Sequence, residues 1–244
     1  MKTEKAYKLL ARQEKISNRA AKELIDRGVV YSGGKKVVVA RGELPVSAKF
    51  KVLEIKKSKK LFEDENLIAI EKPSFISSEE IAKSYGYPLL HRLDKETSGI
   101  LLLVKNEEFR KKAIKLFKDK KVKKEYIAWV EGIVAEKAVI NAPIETIKTK
   151  NSIFSKISKK RGKEAVTFIE PLMIEGKKTK LKIEIETGRT HQIRVHLKSI
   201  GHPIVGDEKY GGKEYKRIML HAHKIELDSY SFESKEPPEF TRLH

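Results

Sequence analysis

Short apolar runs after residue 61 restrict the possible folds of this chain more than any other feature of its sequence. They occupy residues 66–70, 99–104, 126–130, 165–169, 181–185 and 218–227, and each is apolar throughout or alternates between apolar and polar side chains. Runs of this length and pattern are typical of β-strands. Because few helical segments separate them, they predict an α+β domain built on a mixed, largely antiparallel sheet.

Two segments of the same region have helical spacing. One is Glu107–Lys118, and the other follows Thr190, the expected N-cap, and ends at Gly201. Residues 151–163 are polar and basic, and we expect them to form a mobile loop. The residues expected to face inward are Phe109, Ala113, Leu116 and Phe117 in the first helix and Ile193, Leu197 and Ile200 in the second.

The first 57 residues predict a separate small domain of two helices followed by a small sheet. Ser17 is the expected N-cap of a helix that Gly28 ends, and a hairpin around Gly33-Gly34 and a strand over residues 49–55 follow. The stretch ISNRAAKELIDRGVVYSGGKKV resembles the small S4-like RNA-binding module first described in a ribosomal small-subunit protein. A polar linker over residues 56–60 then leads to a second domain at residues 61–244.

The net charge of +19 points to a polyanionic partner, although a lysine-rich proteome would also produce it. Residues 1–60 carry 17 Lys and Arg against 6 Asp and Glu, so the N-terminal domain is the more concentrated basic element. The chain has no cysteine, which excludes disulfides and thiolate chemistry. With no signal-peptide core and no apolar run of membrane-spanning length, we expect a cytoplasmic protein without a membrane partner.

The segment HRLDKETSG, residues 91–99, runs directly into the apolar strand predicted at residues 99–104. It presents the carboxylate of Asp94 between Arg92 and Lys95 at the point where the chain enters the core. Such a loop suits a catalytic carboxylate. Taken alone, the same nine residues could equally be a solvated turn with an Asp–Lys pair.

Five segments in a fixed order carry a resemblance that separates these two interpretations. HRLDKETSGILLL resembles the signature loop of the RluA-type pseudouridine synthases, which isomerise uridine in RNA. The other four are IEKP at residues 70–73, KEYIA at 124–128, GRTHQIRVHL at 188–197 with its continuation to Tyr210-Gly211, and LHA at 220–222. The resemblance implies a pseudouridine synthase fold and, for an isomerisation without redox change or hydrolysis, no cofactor and no metal.

The resemblance also implies roles for single residues. Asp94 takes the position of the catalytic carboxylate, Arg194 would hold it through a bidentate ion pair, and Tyr126 would lie against the uracil. Arg92 would fill the space left by the flipped uridine or clamp a phosphate. The remaining expected substrate contacts are His91, Lys72, Arg189 and the basic residues 156–163, together with Ile193 and Leu220 as apolar walls around the base.

Three other functions fit parts of the sequence. Five histidines in the C-terminal third suggest a metal site, but His191 and His196 would lie about 140° apart around a helix. A glycoside hydrolase would need a second carboxylate, for which the loop offers only Glu96. A non-catalytic RNA-binding protein would have no need of Asp94, Arg194 and Tyr126 together. We therefore expect a monomeric enzyme. Its first expected substrate is ribosomal RNA, most of all that of the large subunit, and its second is transfer RNA.

Overall fold

The computed structural model describes residues 2–149 and 153–243. The chain divides into two compact units, residues 1–57 and residues 58–244. Within the described ranges, no helix has both the length and the apolar character needed to cross a membrane.

The first unit contains two helices and five short strands. Ser17 caps the second helix as expected, accepting a hydrogen bond from the Ala20 N–H, and Gly28 ends it in the left-handed conformation. The second strand of the hairpin predicted around Gly33-Gly34 spans only Lys35–Lys36, and the pairing of Thr3–Lys5 with Glu43–Pro45 was not predicted. The elements are β1 (Thr3–Lys5), α1 (Ala6–Glu14), α2 (Asn18–Arg27), β2 (Val30–Ser32), β3 (Lys35–Lys36), β4 (Glu43–Pro45) and β5 (Phe50–Val52), with β3, β2 and β5 forming a three-stranded sheet.

The second unit is built on a nine-stranded sheet with α3 (Ser78–Tyr85), α4 (Glu107–Lys118) and α5 (Gln192–Ser199) packed around it. The strand order is β10-β13-β14-β9-β15-β8-β7-β6, and β16 also pairs with β15. Among the described residues β15 and β8 form the one parallel pair, so the predicted α+β class with a largely antiparallel sheet is confirmed. The strands are β6 (Lys59–Glu63), β7 (Leu67–Lys72), β8 (Ser98–Val104), β9 (Lys123–Glu131), β10 (Ala138–Asn141), β13 (Val166–Glu175), β14 (Lys178–Ile185), β15 (Leu220–Leu227) and β16 (Tyr230–Glu233).

Both faces of the sheet are covered near its centre, which explains the continuous apolar run of β8. Leu101 and Leu103 belong to the larger core cluster, which includes residues of α3 and α5. Ile100 and Leu102 belong to a second cluster with Phe109 of α4. Successive strand residues point to opposite faces, so a strand covered on both sides must be apolar at every position.

Four sequence predictions about elements were wrong. Within the predicted loop 151–163, Ile153–Ile157 forms β12, which pairs antiparallel with β11 (Ile144–Lys148); residues 151 and 152 lie outside the described part. His191, not Thr190, precedes α5, because the backbone turns through the left-handed region at φ 55° before the helix starts. Ile200 is 39% exposed, since the helix has already ended there. The predicted linker is also too long, because β6 begins at Lys59.

Gly99 marks the closest approach within the parallel pair. Its φ is +113°, and a Cβ there would lie 2.1 Å from the carbonyl oxygen of Ala222. Gly176, in the turn between β13 and β14, also has a positive φ, but a Cβ on it would meet open space. The two glycines therefore separate the cost of backbone strain from the cost of steric overlap.

We expect Gly99→Ala to lower the free energy of unfolding by at least about 3 kcal/mol, because strain and overlap both act. Gly176→Ala should cost only about 1 kcal/mol, from strain alone. Urea unfolding followed by the fluorescence of Trp129, which is fully buried, measures both. Equal losses of unfolding free energy in the two variants would show that β8 and β15 can move apart without cost and so relieve the overlap at Gly99.

Candidate active site

A cleft of about 90 Å³ opens where the loop before β8 and the strands β9, β14 and β15 meet the start of α5. It brings together seven of the nine residues that the sequence predicted for the site. Those seven are Asp94, Tyr126, Arg194, Arg92, Arg189, Ile193 and Leu220, and the lining is completed by Leu93, Thr97, Ile185, Gly188, His191 and Gln192.

Buried polar side chains hold the loop that carries Asp94 through hydrogen bonds to its backbone. The Ser78 hydroxyl donates to the carbonyl of Leu93 at 2.9 Å and accepts from its N–H at 3.0 Å. The ammonium of Lys72 donates to three carbonyl oxygens, those of Pro73, Ile76 and Lys95, at 2.7–3.2 Å. Saturated buried hydrogen bonds of this kind hold a loop in one conformation, so Asp94 sits on a fixed support.

This arrangement corrects the expectation that Lys72 contacts RNA. Its side chain is fully buried, and the burial lowers its pKa to about 7. A phosphate outside the protein has no access to an ammonium group enclosed in this way. Lys72 therefore supports the loop and does not face the cleft.

Arg194 is the buried cation at the base of the cleft. Its Nε and Nη2 donate to the two carboxylate oxygens of Asp207 at 2.7 and 2.8 Å, and its Nη1 donates to Asp94 Oδ2 at 3.1 Å. The bidentate partner is thus Asp207, not Asp94 as the sequence suggested. With one edge of the guanidinium fixed by Asp207, Nη1 is aimed at Asp94.

The ring of Tyr210 covers this ion pair. The guanidinium carbon of Arg194 lies 5.0 Å from its centroid, and Phe154 stacks on it at 5.3 Å with the planes 17° apart. A cation over an aromatic face is stabilised further when water is excluded. Arg194 is therefore held by charge on its edge and by an aromatic ring on its face.

Tyr126 forms one wall of the cleft and is 8% exposed. Burial and, to a lesser extent, the charge of Asp94 raise the pKa of its hydroxyl above the usual range. The phenol is therefore neutral at ordinary pH. Ile193 and Leu220 are also buried, and with Tyr126 they give the cleft an apolar side that suits a flat ring.

Two arginines lie at the mouth of the cleft. The Arg92 side chain is 69% exposed, and its Nε is 2.9 Å from Glu79 Oε1. An exposed pair of this kind contributes little free energy, so Arg92 can leave Glu79 when a substrate arrives. The Nε of Arg189 donates to the carbonyl of Glu164 at 2.9 Å.

His91 lies outside the cleft, which corrects its assignment as a substrate contact. Its Nε2 accepts the Leu102 N–H at 3.2 Å, and its ring centroid is 6.0 Å from that of Phe117. Burial lowers the pKa of His91 to about 4, so the ring stays neutral. Its role is to attach the beginning of the loop to β8.

The described histidines outside the cleft form hydrogen bonds within the protein. Across residues 2–149 and 153–243, no group of three His, Asp or Glu side chains could hold a metal ion. His196, for example, bonds to the Thr167 hydroxyl and the Ala142 carbonyl, both at 2.9 Å. His221 lies between the hydroxyls of Ser98 and Ser234 at 2.8 and 2.9 Å. His196 and His221 are thus held by hydrogen bonds within the protein.

Sequence reasoning missed three residues of the site, namely His191, Asp207 and Tyr210. All three lie within the segments that carried the family resemblance, GRTHQIRVHL and its continuation to Tyr210-Gly211. The signal was present as a motif, but the motif does not say which side chains turn toward the cleft. Asp207 in particular is fully buried, a rare state for an aspartate without a charged partner.

Comparisons with known proteins show which family this chain is similar to. The family model described as RNA pseudouridylate synthase matches residues 56–199. An uncharacterized RNA pseudouridine synthase of Helicobacter pylori is 59% identical over 241 residues, covering 97% of this chain and 99% of the relative. A ribosomal large subunit pseudouridine synthase C of Rickettsia felis is 34% identical, covering 91% of this chain and 82% of the relative. The solved structure of human RNA Pseudouridylate Synthase Domain Containing 1 is similar, with a TM-score of 0.64 and 25% identity, covering 75% of this chain and 84% of that one.

The ion pair of Arg194 with Asp207 gives a stability prediction. We expect Asp207→Asn to lower the free energy of unfolding by about 3 kcal/mol, because it leaves a buried guanidinium without its bidentate carboxylate. Glu96→Gln is the matched control, since Glu96 Oε2 is 3.9 Å from Arg194 Nη1 but its side chain is 38% exposed. The control should change stability by less than about 0.5 kcal/mol. Calorimetric melting compares them, and a loss as small in Asp207→Asn as in the control would contradict the assignment.

Proposed function

The chain belongs to the RNA pseudouridylate synthase family and is an RNA pseudouridine synthase, and we propose that Asp94 is its catalytic carboxylate and large-subunit ribosomal RNA its substrate. The observation that carries the first proposal is the 3.1 Å contact between Arg194 Nη1 and Asp94 Oδ2 at the base of the cleft. It combines a carboxylate, a fixed cation and an apolar wall in one small space.

The reaction determines what the carboxylate must do. The bond from the uracil nitrogen to the ribose breaks, the base turns, and a new bond forms through carbon 5. Asp94 can attack the anomeric carbon as a nucleophile or remove the neighbouring ribose proton to give a glycal. Both routes use the ionised carboxylate, and a cation at hydrogen-bonding distance favours that form. Both routes also use the same residue, so the proposal for Asp94 does not depend on which of them operates.

The surrounding residues then acquire roles in the proposed site. Tyr126, neutral in its buried position, lies against the uracil with Ile193 and Leu220 on the same wall. Because a base in folded RNA must leave its stack to reach the cleft, Arg92 at the mouth occupies the vacated position. Its weak, exposed pairing with Glu79 suits that movement. Arg189, the second cation at the mouth, contacts backbone phosphate.

Asp94→Asn should reduce isomerisation at least about 1,000-fold under single-turnover conditions, because the amide is neither a nucleophile nor a base. Affinity for RNA should stay within about threefold, since no core volume changes. Release of tritium from uridine labelled at carbon 5 measures the reaction, and filter binding measures affinity. Glu96→Gln, which removes a carboxylate from the same loop, should keep activity within about tenfold of the unmodified enzyme. An Asp94→Asn enzyme that also stays within tenfold would exclude Asp94 as the catalytic residue.

The same variant tests the RNA target in cells. A curated relative of Rickettsia felis is named a ribosomal large subunit enzyme, which supports ribosomal RNA over transfer RNA. Pseudouridine mapping should show one or more large-subunit positions that are lost on deletion of the gene, restored by the unmodified gene and not restored by Asp94→Asn. Loss confined to transfer RNA would transfer the proposal to that substrate. A protein that only binds RNA would restore none of these positions in either form.

The first unit is proposed as an RNA-docking domain. It is strongly basic, and its helices present Arg12, Arg19 and Lys22; the Arg19 side chain is 90% exposed. Each cation that contacts a phosphate steepens the salt dependence of binding by about 0.7–0.9 in log units. The salt dependence therefore counts the contacts of this unit directly.

Replacing Arg12, Arg19 and Lys22 together by Gln in the full chain should make the salt slope shallower by about 2. The charge-matched control replaces Lys111, Lys115 and Lys118, three exposed cations of α4, and should change the slope by less than 1. Filter binding of ribosomal RNA fragments across a salt series measures both. Equal changes would mean that net charge, and not a docking face on the first unit, sets the affinity.

A further inference from the structure

His191 faces the cleft, and the mechanism described so far does not use it. It immediately precedes α5, its φ of 55° lies in the left-handed region, and its Nε2 is 3.9 Å from Asp94 Oδ2. That separation is too long for a hydrogen bond. A non-glycine residue in this conformation costs on the order of 1 kcal/mol or more, and such strain is concentrated at functional positions. The backbone turn directs the imidazole at the space beside Asp94.

The other ring nitrogen of His191 is fixed by Tyr210. The Tyr210 hydroxyl lies 2.7 Å from His191 Nδ1 and accepts the backbone N–H of Ser155 at 2.9 Å. A hydroxyl has one proton to donate. Among the described residues, His191 Nδ1 is the acceptor that the structure provides for this proton. Donation from the Tyr210 hydroxyl to Nδ1 uses this proton within the protein and requires that Nδ1 carry no proton.

The ring is also neutral. Burial lowers the pKa of His191 below its usual range, and Arg194 acts in the same direction, while the carboxylates of Asp94 and Glu96 oppose them. The pKa of Tyr210 is raised, mainly by burial, so its hydroxyl keeps its proton. A neutral imidazole has one N–H. With Nδ1 accepting from Tyr210, that N–H is on Nε2, the atom nearest Asp94.

We infer that His191 is a substrate-contacting residue whose Nε2–H donates a hydrogen bond to a carbonyl oxygen of the target uracil, and that Tyr210 is the positioning residue that selects this tautomer. The inference rests on the proposed catalytic site at Asp94. When the glycosidic bond breaks, the base departs with negative charge shared between its ring nitrogen and its carbonyl oxygens. A fixed donor at that oxygen stabilises the charge as it develops.

Neutrality of the donor matters as much as its direction. A protonated imidazole 3.9 Å from Asp94 would pair with the carboxylate and compete with the substrate for it. A neutral N–H leaves Asp94 with Arg194 as its cation and remains available to the base. The hydrogen bonds from the Ser155 N–H to Tyr210 and from Tyr210 to His191, here called the relay, thus fix the proton of His191 on Nε2 without adding a charge.

The first experiment reads the tautomer directly, with no catalytic readout. Long-range ¹H–¹⁵N correlation spectra of the enzyme with labelled histidine should show His191 protonated at Nε2 and bare at Nδ1 at neutral pH. The signal is assigned by its loss in His191→Gln. Tyr210→Phe keeps the ring that contacts Arg194 and Phe154 but lacks the hydroxyl, so His191 should become a mixture of both tautomers. Protonation at Nδ1 in the unmodified enzyme, or no change in Tyr210→Phe, would overturn the role of Tyr210.

The second experiment compares two amides. The side-chain nitrogen of Gln reaches the position of Nε2, whereas that of Asn reaches the position of Nδ1. We expect His191→Gln to keep the single-turnover rate within about tenfold and His191→Asn to lower it by about 100-fold, with little change in RNA affinity. Backbone preference favours the opposite order, because Asn adopts the left-handed conformation more readily than Gln. Equal rates, or a faster Asn variant, would reject the donor.

The two proposals fail separately. If Asp94→Asn retains activity while His191 has the expected tautomer, the catalytic assignment fails and the relay stands as a structural finding. If Asp94→Asn is inactive but His191 is protonated at Nδ1, the further inference fails alone. Tyr210→Phe should lower the rate to between those of the two amide variants, without a change in melting temperature beyond a few degrees.

Discussion

The ion pair between Arg194 and Asp207 is the interaction on which the rest of the site depends. Arg194 is 4% exposed and Asp207 is fully buried, so neither charge is tolerable without the other. Their bidentate contact fixes the guanidinium in one orientation and points Nη1 at Asp94. The beginning of α5, the segment that follows it and the loop before β8 are thereby held in one arrangement. Without this ion pair, the position of the Asp94 carboxylate would depend on its own loop alone.

The strands of the sheet could be predicted from the sequence because burial determines where apolar residues occur. A strand buried on one face has alternating apolar residues, and a strand buried on both faces is apolar throughout. The six apolar runs after residue 61 became strands, and Glu107–Lys118 is a helix with the predicted bounds. Errors occurred where tertiary contacts override local preference. Thr190 is a better N-cap than His191 by residue type, but the backbone turns at His191 to direct its ring at the cleft.

Some residues of the candidate site were predicted correctly and others were not, because the sequence does not show in which direction a polar side chain points. Lys72 and His91 lie in the motif segments, and both point into the protein, where carbonyl and amide groups of the chain are their partners. Sequence alone does not distinguish a lysine that meets a phosphate from one that holds a loop. Asp207 was overlooked for the complementary reason, since its partner lies thirteen positions earlier and the pairing exists only after the chain has folded.

The place of β15 within the sheet also determines when the enzyme can exist during its synthesis. This strand lies between β9 and β8, and its Ala222 pairs with Gly99, a residue made far earlier in translation. Contacts between such distant positions close late and slowly. Until β15 leaves the ribosome, the strand that continues from the Asp94 loop has no neighbour on one side. A nascent chain that has not yet released β15 therefore lacks Leu220, one of the residues that line the cleft, and its cleft is incomplete.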